Sequence, residues 1–318
     1  MARMALRRAL SSITALAVLG VVIFLLLRAT PGNFAYAALA AEPEITEKMI
    51  RDVEHEYGLD RSIPAQFVAW TGDIASGNLG DSFYFRKPVA DMIMGRIGIS
   101  LELMVGALGL SIPAGVTLGI VSAVRRNSFI DYLARGTAIA GIGMPQFVLG
   151  IIVLFVLLRF FAYSPPFAYT AFVDDPKANL QQFFWPVLIL AVGPTASISR
   201  LTRSQMLEVL REDYIRTAMA KGLRPRAVIM RHALRNALSP VLALIATIIG
   251  ALVGGAVVIE RLFSLPGMGT ALVSGVNYHD YPLVQGIVLF VGLGFIVTSL
   301  TLDVCVGWLD PRVRDAAR

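Results

Sequence analysis

Six stretches of the chain contain no Asp, Glu, Lys or Arg: 9–27, 103–124, 136–158, 178–199, 236–259 and 281–302. Each is 19 to 24 residues long, and at about 1.5 Å per residue each crosses roughly 30 Å of hydrocarbon as a helix. The intervening pattern is different in kind. Between 29 and 98, Ile45, Met49, Val53 and Tyr57 recur every four residues with charges between them, and Gly58 follows. That spacing predicts an amphipathic helix with a glycine C-cap. SGNLGDSFYF (76–85) has the residues of a tight loop. Residues 163–180 are rich in Pro and aromatics. Residues 261–282 are moderately apolar but broken by Pro266, Gly267 and Gly269, so a re-entrant or surface-packed segment is expected there.

The pattern predicts an all-α integral membrane protein with six transmembrane helices. Residues 1–28 hold the N-terminus and first span, 29–98 form a loop region, 99–308 a core with spans two to six, and 309–318 a tail. Composition agrees: 56% of the 318 residues are hydrophobic and 16% charged, where a soluble domain carries about a quarter charged. A cleaved signal peptide is the rival reading of the first run, with Ala38-Leu39-Ala40 resembling a cleavage site. The 19-residue run is longer than a signal core, and the site lies well beyond it across Pro31 and Gly32. An uncleaved first span is therefore expected. Cys305 has no cysteine partner in the chain.

The net charge of +6 is distributed by side. Arg3, Arg7 and Arg8 precede the first span, and Arg125, Arg126 and Arg135 separate the second and third. Nine Lys or Arg against three acids lie from Arg200 to Arg235, and Arg312, Arg314 and Arg318 close the chain. With six spans these groups share one face, which the positive-inside rule makes cytoplasmic, with both termini there. The basic balance thus points to orientation and anionic membrane lipid, and gives no reason to invoke nucleic acid. Residues 29–98, with ten acids and six bases, fall on the opposite, extracytoplasmic side.

One cationic segment needs its own account. In REDYIRTAMAKGLRP (211–225), Asp213 suits the start of a short helix, Lys221 and Gly222 suit its end, and Pro225 prevents simple continuation. The expectation is a helix of roughly nine residues within the loop 212–240, with small Ala218 and Ala220 admitting a close partner. Ile215 and Met219 offer apolar contacts, and Arg216 and Lys221 charged ones.

Ala218, Gly222, Leu238 and Pro240 fit a pattern that resembles the cytoplasmic coupling loop of binding-protein-dependent ABC importer permeases. Arg216 and Thr217 replace the first two letters of its Glu-Ala-Ala opening. YIRTAMAKGL (214–223) is similar to the form used by the dipeptide, oligopeptide and nickel branch. GNLGDSFYFRKPV (77–89) resembles another block of that branch, with Asn78 where Asp is usual. So do GMPQFVLG (143–150), GGAVVIERLFSLPGMG (254–269) and LDPRVR (309–314).

The resemblance implies a type I ABC importer permease fold with an extracytoplasmic loop domain between helices 1 and 2, in a bacterial inner membrane. It implies ATPase coupling through Asp213, Tyr214, Arg216, Thr217, Ala218, Lys221 and Gly222. The implied partners are a second, related permease, two ABC ATPase subunits or one fused ATPase, and an extracytoplasmic substrate-binding protein. The expected cargo is dipeptides or oligopeptides; nickel, glutathione and haem belong to the same family's range. Gln146, Ser197, Ser199 and Gly254, in spans interrupted by Gly and Pro, are candidates for lining a translocation pathway, with helix packing through small residues as the competing role. Glu260, Pro266 and Gly267 are candidates for an outer gate or a binding-protein contact, a snorkelled structural charge being the alternative for Glu260. Glu102 is expected to be structural, at a helix N-terminus.

No catalytic, cofactor or metal site is expected on this chain. No Gly-Lys dipeptide exists to form a P-loop, so ATP and Mg belong to the partner ATPases. His55, His232 and His279 lie in separate loops without ligand spacing. A polytopic membrane enzyme would need paired acids, Ser–Lys or Ser–His inside the spans, and the six runs hold no charged residue or His. A membrane assembly factor is the remaining alternative.

Overall fold

A computed structural model describes residues 2–29, 35, 38, 39, 44–166 and 168–309, with side chains between 11 and 301 among them. Asp310–Arg318 with the C-terminal motif, Pro31, Gly32 and Ala40, and the side chains of Arg3, Arg7, Arg8 and Cys305 lie outside the described residues. The described chain is helical, and its only strand-like pairing is an isolated antiparallel bridge between Asp81 and Pro88.

The helices are α1 (Ala2–Ala29), α2 (Glu47–Glu56), α3 (Ile63–Ala75), α4 (Val89–Val124), α5 (Phe129–Gly143), α6 (Gln146–Phe161), α7 (Pro176–Val209) and α8 (Asp213–Ala220). A single turn at Pro225–Ala227 and a π-helical segment at Val228–Ala233 then lead into α9 (Leu234–Leu262). α10 (Met268–Asn277) and α11 (Tyr281–Leu309) are the last described elements. Local chemistry explains several starts. Thr46 Oγ1 accepts from Met49 N ahead of α2, Ser128 from Asp131 N ahead of α5, and Asp175 from Lys177 N and Ala178 N ahead of α7, where Pro176 fills the first turn. α2 is the amphipathic helix read from the sequence, and Gly58 follows it at φ 64°.

Among the described residues, five helices are long and apolar enough to cross a membrane: Ser11–Ala29 of α1, α4, α7, Pro225–Leu262, and Tyr281–Thr301 of α11. The third charge-free run is divided between α5 and α6, which meet at 105°; as one broken span the pair makes six. The break follows from Pro145, which disfavours the helical region for the residue before it. Met144 is accordingly extended, at φ −94° and ψ 119°. α4 starts at Val89, well before the run at 103, because Asp91, Arg96 and Glu102 interrupt the apolar run without ending the helix. The expectation that Glu102 sits at a helix N-terminus therefore fails: it is half-buried in the body of α4.

Two compact units emerge, residues 1–100 with 266–297, and 101–265 with 298–318. In the first, Val89, Met92 and Ile93 pack with Met268, Ala271, Leu283 and Ile287. Phe24 of α1 meets Phe67 and Trp70 of α3 with ring centroids 5.1 and 5.3 Å apart. α10 is the interrupted apolar segment of the sequence; it is ten residues long, with Met268, Gly269, Ala271 and Gly275 buried.

The second unit is arranged around α7. Its most apolar window is 56% buried, against 28% or less in the other four spans, so it is the central helix. Glycines let its neighbours approach. A Cβ on Gly115 of α4 would stand 2.7 Å from Ile198, and one on Gly119 2.5 Å from Thr202 and 2.7 Å from the Ser199 carbonyl. Gly141 of α5 lies against Val192 and Ala196 in the same way. Small-residue contacts of this kind hold helices together in lipid, where no hydrophobic force drives their association.

Gly119→Ala should lower the thermal unfolding midpoint in mild detergent, because the added methyl overpacks backbone and a β-branched neighbour at a cost of about 1–3 kcal/mol. Gly109→Ala, on the same helix with nothing within 4 Å of its Cβ, should leave the midpoint unchanged or raise it. Equal effects of the two would contradict the packing described for α4 and α7.

Candidate functional site

α8 is an eight-residue helix closed at both ends by backbone geometry. Glu212, one residue before the expected cap at Asp213, occupies the N-cap without a side-chain bond, and Asp213 opens the first turn. At the other end, Gly222 takes φ 78°. Leu223 N reaches Ala218 O and Gly222 N reaches Met219 O at 3.4 and 2.9 Å, the paired bonds of a Schellman cap. Thr217 Oγ1 donates to Asp213 O at 3.0 Å.

The two faces of α8 are sharply divided. Ile215 and Ala218 are buried with Ala123, Met206, Val228, Ala233, Leu234 and Ala237, where the ends of α4 and α7 meet the start of α9. The sequence offered Ile215 and Ala218 as contacts for a partner; both instead anchor α8 to its own unit. Asp213, Tyr214, Arg216, Thr217, Met219, Ala220, Lys221 and Gly222 remain exposed. Arg216 and Asp213 form an exposed ion pair at 3.3 Å. Tyr214 fastens the helix laterally: its hydroxyl accepts from Asn236 Nδ2 at 2.7 Å and donates to His232 O at 3.5 Å.

The platform beneath α8 rests on an ion pair that no sequence motif announces. Asp131, fully buried on α5, receives Arg203 of α7 in a two-point contact, Nε at 2.7 Å and Nη2 at 2.9 Å. Ser122 Oγ of α4 donates to it at 2.6 Å, and Asn127 N at 2.9 Å. Three helices are thus tied by one carboxylate. The residue number gap of 72 between Asp131 and Arg203 hid the pair; its only sequence trace is Ser128 capping the turn that carries Asp131.

Among the pathway candidates, Gln146 opens α6 just after the bend and is half-buried. Its side chain lies against the α-carbons of Gly255 on α9 and Gly193 on α7, so closely that a Cβ on Gly255 would collide with Oε1. Ser199 is buried with its carbonyl against Gly119 of α4, a packing position, while Ser197 is half-buried. Gly254 is exposed with nothing within 4 Å of a Cβ. The structure therefore joins Gln146 to Gly193 and Gly255, and does not join it to Ser199.

Glu260 is 1% exposed, so it is no snorkelled charge; its carbonyl accepts from Leu265 N at 2.8 Å. In the other unit, Pro266 is exposed, and Gly267 is buried as the N-cap of α10, whose Met268 N bonds Ser100 Oγ at 2.9 Å. That unit has its own buried carboxylate. Asp280 accepts from Ser82 Oγ at 2.5 Å, from Phe83 N and Tyr84 N at 3.2 and 3.3 Å, and from Leu283 N at 3.3 Å. It pins the GDSFYF loop to the start of α11, and Tyr84 stacks on Tyr278 at 3.7 Å. Asn78, the departure from Asp, accepts from Gly80 N at 2.9 Å, a turn bond Asp would also make.

Membrane-length helices around a central α7, with a short exposed helix between α7 and α9, define an all-α, multi-pass transport permease. Residues 115–315 match the family described as the binding-protein-dependent transport system inner membrane component, residues 1–104 match the N-terminal family of such membrane components, and the chain belongs to this family. A Brucella suis biovar 1 (strain 1330) protein named as a peptide permease is 39% identical, covering 99% of both chains. The dipeptide transport system permease protein of Bacillus subtilis (strain 168) is 35% identical, covering 99% of this chain and 98% of its own. A chain of the MetNI methionine ABC transporter in an inward-facing form shares the fold, with a TM-score of 0.55 at 15% identity, over 69% of this chain and 96% of that one. The type I ABC importer permease fold is thus the fold of this chain. As a membrane component of such a system it is a transport subunit that works with an ATPase and a substrate-binding protein.

Asp131→Ala should lower stability by about 2–3 kcal/mol, since it leaves the half-buried Arg203 guanidinium, Ser122 Oγ and Asn127 N without their shared acceptor. Tyr214→Phe, which removes one exposed hydroxyl, should cost no more than about 1 kcal/mol. Denaturant unfolding of the two purified variants in detergent distinguishes them, and comparable losses would refute the central place given to the ion pair.

Proposed function

We propose that this chain is half of the translocation pathway of an ATP-driven importer of dipeptides or oligopeptides, paired with a second, related permease. The observation that carries the reading is α8, a short helix whose exposed face is free for a partner while Ile215 and Ala218 root it where α4, α7 and α9 converge. A load on the exposed face reaches three membrane helices through a packed core. The exposed Tyr214, Arg216, Thr217, Met219, Lys221 and Gly222 seat in a cleft of an ATPase, supplied as two subunits or one fused chain. ATP and Mg are bound there. Closure of the ATPases then moves α8 and its helices together, provided that α8 binds one state more tightly than the other.

The cargo assignment rests on the names borne by relatives at 35–39% identity over nearly the whole chain. Gln146, at the α5–α6 bend with Gly193 and Gly255, is the pathway position favoured by its geometry. A weakly polar lining suits varied peptides selected beforehand by the binding protein. Both termini lie in the cytoplasm by the charge asymmetry of the loops, which puts residues 29–98 and the Asp280-pinned loop on the opposite side. There Tyr84, Tyr278 and Pro266 face the substrate-binding protein.

The experiment uses the assembled importer in liposomes. Arg216→Glu with Met219→Asp changes only exposed positions, so the unfolding free energy should stay within about 0.5 kcal/mol of the parent. Peptide-stimulated ATP hydrolysis and uptake of a labelled dipeptide should both fall at least tenfold. Retention of full coupling would remove α8 from the ATPase interface. Uptake of nickel with no uptake of dipeptide by the parent would overturn the cargo.

A further inference from the structure

A cavity of about 180 Å³ lies in the first unit, between the last turn of α1, the α2–α3 connection and the start of α11. Its wall contains Arg28, Arg61, Trp70, Tyr281 and Gln285. Gln285 is 4% exposed, yet among the described residues its Nε2 has no hydrogen-bond partner. An amide donor buried without an acceptor is uncommon and calls for an explanation.

The neighbouring cation is held in a fixed pose. Arg28 donates through Nε to Gln66 Oε1 at 2.8 Å and through Nη1 to Phe24 O at 3.3 Å, with its guanidinium 3.4 Å from the Phe24 ring centroid. Gln66 is itself fixed, its Nε2 donating to Leu59 O and Arg61 O at 3.0 and 2.8 Å. Among the described residues no carboxylate pairs with Arg28. Asp73 is the acid on the cavity wall, against Arg28 and Arg61, so the lining carries a net charge of one positive. A positive, half-enclosed space with an unused amide donor is built for an anionic oxygen group.

The position within the fold narrows the source. Arg28 is the penultimate residue of the apolar segment Ser11–Ala29, so the cavity opens where hydrocarbon gives way to water. Trp70, Tyr57 and Tyr281 around it are the residue types of that boundary. Along α1, Val18 and Leu25, on the same side as Arg28 at 3.6 residues per turn, are 58% and 48% exposed. At about 180 Å³ the space falls below the roughly 300–1,000 Å³ of ordinary small-molecule sites, which fits a headgroup and excludes a peptide.

We propose that this cavity binds the phosphate of an anionic phospholipid, between Arg28, Arg61 and Gln285 Nε2, with the acyl chains along the exposed face of α1. The lipid would supply an acceptor for Gln285 and a counter-charge for Arg28 that the described residues do not provide. It would also join α1, α3 and α11 at one point.

The test uses the full chain, purified in mild detergent with its co-purifying subunits, stripped of lipid, and carrying Trp185→Phe and Trp308→Phe so that Trp70 reports. Dioctanoyl phosphatidylglycerol should change Trp70 emission saturably, dioctanoyl phosphatidylcholine at least tenfold more weakly, and inorganic phosphate not at all up to millimolar levels. Gln285→Glu, which keeps the shape and repels an anion, should weaken phosphatidylglycerol binding at least tenfold. Arg61→Gln, an exposed position that folding does not need, should weaken it in the same direction and leave phosphatidylcholine unaffected. Equal binding of the two lipids, competition by free phosphate at the lipid's own concentration, or unchanged binding in both variants would each overturn the proposal.

Discussion

Hydrocarbon gives helices no hydrophobic reason to associate, so a membrane bundle holds together only where backbones come close enough for dense packing or where polar groups find each other. In the second unit both devices converge on α7. Gly115 and Gly119 bring α4 onto Ile198 and Thr202, Gly141 brings α5 onto Val192 and Ala196, and Gly193 receives the side chain of Gln146. Near its far end, Arg203 grips Asp131, and Ser122 closes the same carboxylate from α4. Four glycine contacts and one buried ion pair therefore fix the arrangement from which α8 projects. The loop from α7 to α9 inherits its geometry from that framework, because Met206 and Ala123, which help bury Ile215 and Ala218, lie one helical turn after Arg203 and next to Ser122.

Much of this was legible in the chain. The charge-free runs marked the five membrane-length helices and the bent α5–α6 pair, since a helix exposed to lipid must exclude charge over its whole crossing length. The four-residue recurrence of Ile45 to Tyr57 marked α2, and Lys221, Gly222 and Pro225 marked the end of α8 because cap chemistry is local. What charge counting could not reveal was any helix outside the hydrocarbon. The first ten residues of α4 carry Asp91 and Arg96 and so looked like loop, and Glu102 looked like the start of the span. The bend at Met144 was present only as Pro145, and a proline in an apolar run is as often a mild kink as a right-angle turn.

The polar hubs were beyond reach for a different reason. Asp131 and Arg203 are 72 residues apart, and Ser82 and Asp280 are 198. Only tertiary structure reveals which of several acids is buried. The faces of α8 were misjudged for a related cause: over eight residues a helix makes barely two turns, too few for a periodicity to separate inside from outside. Small size made Ala218 look like a place where a partner could come close, whereas the close neighbours are Ala233 and Ala237 of the same chain.

Such a lopsided helix separates two kinds of selection. Two of its eight side chains, Ile215 and Ala218, answer to the fold, and the other six face outward. Apart from Tyr214, which ties the helix to Asn236 and His232, the outward set can drift, or be rewritten charge by charge, without disturbing the anchor that holds the helix in place. A cell that keeps several importers of this build could therefore give each its own recognition surface on a common frame. Fidelity between paralogous assemblies would then be written in a handful of exposed letters, while the architecture beneath them stays constant.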